Sequence, residues 1–252
     1  MTYRFLTVVA VLCFSFAFSA KDKLNEEENR NDSRSVLVVD ALSKKASVGF
    51  EEKVSNTYNA FIENNANMPA PGVFEEGMKG YYKLEKEGLV NKKILTIIDF
   101  DLSSKEKRMW ILDMKNQKVL FNTFTSHGKN TGGEFARNFS NTPNSLQSSL
   151  GFYVTGETYY GKNGLSLFID GKEKRFNSNA RKRYVVIHGA DYATPAFIQK
   201  YGRLGRSYGC PAVPNNLAKD LINTIKGESV VYIHKNSKNY QEKSSYLNYP
   251  TV

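Results

Sequence analysis

Cysteine is nearly absent: two occur in 252 residues, Cys13 and Cys210. Cys13 falls in an apolar stretch near Met1 that reads as a removable leader. The rest of the chain therefore holds one thiol, which excludes a disulfide-stapled scaffold and any internal bridge. An unpaired cysteine in an exported protein is a buried passenger, an intermolecular link or a reactive group. Histidine is also sparse, with three residues. No His-Glu-x-x-His run and no closely spaced ligand pair occurs, so zinc held by Cys210 and distant histidines has little support. Beyond residue 18 no apolar stretch reaches the roughly 20 residues that span a bilayer. There is no internal repeat.

Negative charge is in deficit, with 25 Asp and Glu against 35 Lys and Arg, a formal net charge of +10. The excess is spread along the chain, and no basic stripe interleaved with aromatics marks a single-strand nucleic-acid binder. In an exported protein such a surface suits an anionic envelope polymer, because summed charge raises local concentration without specifying a fold. Plain solubility accounts equally well for most of the lysines.

What is present begins with the leader. Arg4 supplies a positive n-region, Phe5 to Phe18 is almost wholly apolar, and Ala17-Phe18-Ser19 offers a small-residue cleavage site, so residues 1–19 read as a signal peptide and the protein as exported to the periplasm or cell envelope. An uncleaved anchor is the rival reading. Leu12 is too bulky for lipoprotein processing at Cys13. Residues 20–48 are polar and charged and read as a flexible linker, with local pairing possible at Val36–Val39.

Residues 49–90 read as a helical extension. Phe50, Val54, Tyr58, Phe61 and Ile62 share one face, and a second helix starts at Pro71 with Val73, Phe74, Met78, Tyr81 and Tyr82. From residue 91 the period becomes that of strands: 94–100, 108–113 and 118–125, the last two flanking a hairpin turn at Met114–Gln117, then 151–155, 165–169, 184–188 and 229–234. One short helix spans 215–225. The pattern predicts a mainly β domain over 91–236, a β-sandwich or distorted barrel rather than an alternating βαβ array, followed by a flexible tail at 237–252.

Cys210 stands in Gly205-Arg206-Ser207-Tyr208-Gly209-Cys210-Pro211. The glycines let the backbone turn sharply and approach a ligand, which suits a thiol at a loop tip beside backbone N–H donors. A nucleophilic thiol needs a base, and His188 closes the apolar run Tyr184-Val185-Val186-Ile187, with Gly189 after it. His127 is a further candidate for the same cleft, whereas His234 ends the last strand and reads as an ordinary edge residue.

His188-Gly189 followed by Gly205 to Ala212 resembles the signature of the L,D-transpeptidases of bacterial cell walls, the YkuD-type fold, in which His, a spacer and Ser/Thr-His-Gly-Cys recur. The likeness extends upstream through Thr125-Ser126-His127-Gly128-Lys129 and Ser148 to Tyr153, and covers residues 94–235. Tyr208 replaces the second histidine of the pattern, and Ala212 replaces a polar residue. The resemblance implies acyl transfer on peptidoglycan stem peptides, with Cys210 as nucleophile and His188 as base, and calls for no metal or organic cofactor. It places Gly209, Tyr208, Ser207, Arg206 and Gly189 around the oxyanion and substrate. Arg206 is read equally as a carboxylate clamp or a solvated loop charge. Hydrolysis of the same bond by an L,D-carboxypeptidase or endopeptidase, and a non-catalytic wall-binding module, are the alternatives.

Overall fold

A computed structural model describes residues 48–64 and 67–249; the leader and all but the last residue of the expected linker lie outside them. Two strands, β1 (Ile94–Asp99) and β8 (Val230–His234), run parallel at the sheet centre, with Leu95 opposite Val230 and Asp99 opposite His234. Both are buried along their whole length, as strands covered on both faces must be. On one side of this pair lies the predicted hairpin of β2 (Met109–Asp113) and β3 (Lys118–Thr123). On the other lie β4 (Gly151–Gly161), β5 (Gly164–Gly171), β6 (Val186–Ala190) and β7 (Ala212–Pro214). The order across the eight strands is β3-β2-β1-β8-β4-β5-β6-β7.

The sheet curls because its two edges meet through one segment. Directly after the edge strand β3, Ser126 bridges Ala212 on the opposite edge strand β7, its N–H donating to the Ala212 carbonyl at 2.8 Å, and Gly128 bridges Ser207. This brings the chain around Thr125–Lys129 against the loop that carries Cys210. The distorted barrel predicted from the strand-rich sequence is the architecture found.

Helix α1 spans 48–64 and α2 Pro71–Lys86. Phe61 and Phe74 meet edge to face at 6.0 Å between ring centroids, and the Tyr58 hydroxyl donates to the Pro69 carbonyl at 2.8 Å, which fixes the corner between the helices. Ile62, expected on the packed face, is exposed. Helix α2 packs on β1 and β8 and is part of the domain core rather than an appendage. Its glycines explain how closely: a Cβ on Gly80 would lie 2.1 Å from the Phe152 ring, so at that point the approach needs a residue without a side chain.

Helix α4 (Asn215–Ile225) matches the predicted range and buries Ala218, Leu221, Ile222 and Ile225, one face at three- and four-residue spacing, against β5, β6 and β7. Helix α3 (Pro195–Tyr201), capped by Thr194 and Gly202, has no counterpart in the sequence reading because it buries no residue and so shows no apolar stripe. The expected flexible tail is ordered through residue 249: α5 (Lys238–Lys243) and the turn after it bury Tyr240 and Tyr246. Both are tied to the body by side chains distant in sequence. The Glu173 carboxylate accepts from the Tyr240 hydroxyl at 2.8 Å and the Ser244 hydroxyl at 2.5 Å, and Tyr246 stacks on Phe152 at 5.3 Å.

Candidate active site

His188 sits mid-way along β6, buried, opposite Ser166 of β5 on one side and Ala212 of β7 on the other. Its backbone N–H points to the Pro211 carbonyl at 3.4 Å, which sets the residue beside the chain leaving Cys210. The imidazole Nδ1 is 2.8 Å from the Gly189 carbonyl. A carbonyl only accepts, so Nδ1 carries the proton and Nε2 keeps a lone pair, the tautomer a general base needs. Burial lowers the imidazole pKa, with the Gly189 bond opposing, so the ring is neutral at neutral pH. Gly189 is placed by packing: a Cβ there would lie 2.4 Å from Asn215 and 3.0 Å from Ala218 in α4, so its open face holds the helix rather than facing a ligand.

The cysteine loop is held from below by Ser207. This buried residue accepts the Gly209 N–H at Oγ (3.0 Å) and donates the same hydroxyl to the Cys210 carbonyl at 2.6 Å. The Gly209 N–H, expected as an oxyanion donor, is thereby occupied; the Cys210 N–H is without a protein acceptor among the described residues. Gly209 has φ 127, where any side chain is strained, and a Cβ would fall 2.8 Å from the Gln147 carbonyl. The other flanking glycine, Gly205, fits beneath Tyr192: a Cβ there would lie 2.4 Å from the Tyr192 Cβ and 2.7 Å from its ring. Tyr208 is 76% exposed, with its ring in solvent.

Two groups that the sequence reading missed complete the surroundings of the thiol. Tyr184 has φ 53, in the left-handed region that non-glycine residues rarely adopt, and this conformation delays the start of β6 to Val186. It also turns the Tyr184 carbonyl to the half-buried Cys210, 3.4 Å from Sγ, while the Val186 N–H points at the same sulfur from 3.5 Å. Arg183 brings a cation: burial pushes the thiol pKa up, and the Val186 N–H and the Arg183 charge oppose it. Arg183 is itself fixed by the Ser140 carbonyl and the Ser149 hydroxyl, both at 2.6 Å from Nη1. No local pattern marks this arginine, since its partners lie about 40 residues earlier.

The remaining histidines do other work. His127 lies under the loop rather than in the cleft, 1% exposed. Its Nδ1 accepts from buried Arg108 at 2.8 Å, and its backbone carbonyl accepts the Ser207 N–H at 3.0 Å. Burial, together with the Arg108 charge, drives its pKa down to about 3, which keeps it neutral. His234 is buried at the end of the central strand β8, not an edge residue, and both ring nitrogens face carboxylates, Glu76 at 2.8 Å and Asp101 at 3.1 Å. Among the described residues, Asp99, Asp101 and His234 are the group with metal-ligand proximity, and it does not include Cys210. Asp101 is already paired with Lys235 at 2.5 Å, so the cluster is internally satisfied. Arg206 donates from Nη1 to the Lys129 and Gly132 carbonyls, both at 3.1 Å, which ties the cysteine loop to the chain after His127.

A family model described as the L,D-transpeptidase catalytic domain matches residues 65–234, more than half of the chain. The chain belongs to the L,D-transpeptidase catalytic domain family. Solved structures it is similar to include an L,D-transpeptidase from Mycobacterium smegmatis (12% identity, 57% of this chain and 59% of that one, TM-score 0.35). Two more are an L,D-transpeptidase from Xylanimonas cellulosilytica (17%, 57% and 61%, 0.33) and one from Enterococcus faecium (16%, 57% and 50%, 0.34). The chain thus spans 50–61% of the length of these structures. No curated protein matches it. Within the L,D-transpeptidase match lie both β6 with His188 and the Cys210 loop, whereas α5 follows it. Among the described residues no helix is long and apolar enough to cross a membrane.

Proposed function

We propose that the protein is an exported cysteine acyltransferase that joins peptidoglycan stem peptides by L,D-transpeptidation. The observation that carries this reading is the pairing of β6 with β7, which sets His188, with Nε2 unprotonated, beside the strand that follows Cys210. As substrate enters, His188 Nε2 takes the thiol proton while Sγ attacks the carbonyl between an L- and a D-centre. The tetrahedral oxyanion is received by the Cys210 N–H. Collapse breaks the C–N bond, the imidazolium gives its proton to the departing amine, and a thioester remains. An amine from a second stem attacks the thioester, His188 accepts its proton, and the thiolate leaves and is reprotonated.

The neutral resting pair suits this order. Burial raises the thiol and lowers the imidazole, so charge separates only when substrate brings the oxyanion to its donor. The test is mass analysis of wall fragments after incubation with the mature chain and with Cys210→Ala, His188→Ala and the double variant. Cross-linked product from the parent alone is expected, with the double variant no worse than either single one, because members of a nucleophile–base unit act together. Normal product from Cys210→Ala would sink the proposal. Shortened stems without cross-links would instead assign hydrolysis of the same thioester by water.

A further inference from the structure

A cavity of about 490 Å³ opens at the Ser140 and Gln147 segment that holds Arg183, well within the size of sites that take small ligands, on the order of 300–1,000 Å³. Its lining includes two guanidiniums, those of the exposed residues Arg137 and Arg175. Neither has a hydrogen-bond or ion-pair partner among the described residues, although every other arginine near the site is engaged: Arg108, Arg183 and Arg206 all donate to backbone carbonyls. Phe139 and Phe176 supply apolar wall, and Ser140 and Gln147 connect the cavity to the site. Those last two present their carbonyls to Arg183, and the Gln147 carbonyl also abuts Gly209, one residue before the thiol. A ligand seated here lies along the wall that braces the nucleophile. Part of the wall, Ser237, Asn239 and Tyr240, comes from the C-terminal segment beyond the family match at 234.

We infer that this cavity is a subsite for a peptide bearing free carboxylates, its acidic groups held by Arg137 and Arg175. Guanidiniums in a wall rich in amides and hydroxyls select planar anions through paired N–H donors, while the two rings accept aliphatic side chains. The inference deepens the acyl-transfer reading and rests on it for the identity of the peptide, a wall stem. It assigns recognition of the stem's acidic groups to residues outside the Cys210 loop, including an element the family match does not cover.

Binding is measured by calorimetry on Cys210→Ala protein, so that no chemistry intervenes, with a stem tetrapeptide whose carboxylates are free and with the same peptide fully amidated. The free acid is expected to bind more tightly. Arg137→Gln and Arg175→Gln should each weaken the acid about tenfold, roughly one charge-assisted hydrogen bond shared with water, and the double variant should erase the difference between acid and amide. Lys219→Gln, an exposed charge on α4, should change neither. Equal binding of acid and amide by the parent, an unaltered preference in the double arginine variant, or an equal loss in Lys219→Gln overturns the inference. Arginine-dependent acid binding together with absent turnover by the parent chain would leave the subsite standing and remove the acyl-transfer reading instead.

Discussion

Cys210 Sγ and the Tyr184 carbonyl oxygen are 3.4 Å apart, so the thiol proton has an acceptor within the backbone before any substrate arrives. The contact depends on Tyr184 adopting φ 53, a conformation that costs an L-residue of its kind free energy and that is held by the Arg181 carbonyl on its N–H and by the start of β6. The strained residue therefore sets where the thiol hydrogen bond points at rest.

The first expected outcome concerns that state. Burial raises the Cys210 pKa above its ordinary value of 9.0, and Arg183 is the cation that limits the rise. The rate of alkylation of the free protein should climb with pH around a midpoint above that of an unhindered thiol, opposite to the depressed midpoint that a Cys-His pair alone leads one to expect. Arg183→Gln should move the midpoint further up. A midpoint below the ordinary thiol range would mean that a thiolate–imidazolium pair is already formed at rest.

The elements that sequence revealed share one property: their contacts lie close in the chain. The β2–β3 hairpin closes over four residues, and α4 displays its buried face as Ala218, Leu221, Ile222 and Ile225. The Cys210 loop and His188 were legible for a different reason, as rare residue types flanked by glycines. What stayed hidden depends on distant partners. Tyr240 is buried because Glu173 lies 67 residues earlier, and Arg183 reaches the loop at Ser140 to Gln147. His127 looked like a cleft residue because its Ser-His-Gly setting says nothing of Arg108, which occupies its Nδ1.

Glu173 is expected to govern the C-terminal segment. Its carboxylate accepts from the Phe152 N–H at 3.0 Å and from Tyr240 and Ser244. Glu173→Ala orphans these three donors, one of them in the buried center of the fold, and should cost ~2–4 kcal/mol. Chemical denaturation gives the loss, and limited proteolysis should show early cleavage between residues 237 and 249. A tail that stays resistant while stability falls would show that Tyr246 stacking holds it without Glu173.

Gly80→Ala tests whether sheet contact or helix propensity governs α2. In an isolated helix the change stabilises by about 1 kcal/mol. Here the new methyl meets the Phe152 ring at 2.1 Å, and that ring is already stacked between Tyr232 at 4.3 Å and Tyr246 at 5.3 Å, so it has no room to retreat. Overpacking of this kind costs ~1–3 kcal/mol, and the net effect should be a loss of stability. Gly72→Ala, where nothing lies within 4 Å, is the internal control and should not destabilise. A stabilised Gly80→Ala protein would place α2 farther from the sheet than the structure has it.

The His234 network predicts how stability depends on pH. Burial lowers the imidazole pKa, but the hydrogen bond and charge of Glu76, with Asp99 and Asp101, outweigh it and raise the value above 6.5. Stability from this group is therefore complete below about 6.5 and lost as pH rises through the elevated folded value. Glu76 runs the other way: burial opposes ionisation, yet bonds from His234 and Tyr232 hold it below 4.5, so its contribution is present above that value and is lost on acidification. Asp101 follows Glu76, held below 3.8 against burial chiefly by Lys235 and the Asn236 N–H. The two trends overlap between pH 4.5 and 6.5, where ionised carboxylates face a protonated imidazole. His234→Gln should lower the melting temperature most at about pH 5.5 and progressively less toward alkaline pH, where the native ring is itself neutral. A loss that is the same at every pH would mean that His234 contributes only as a neutral hydrogen-bonding group between α2 and β8.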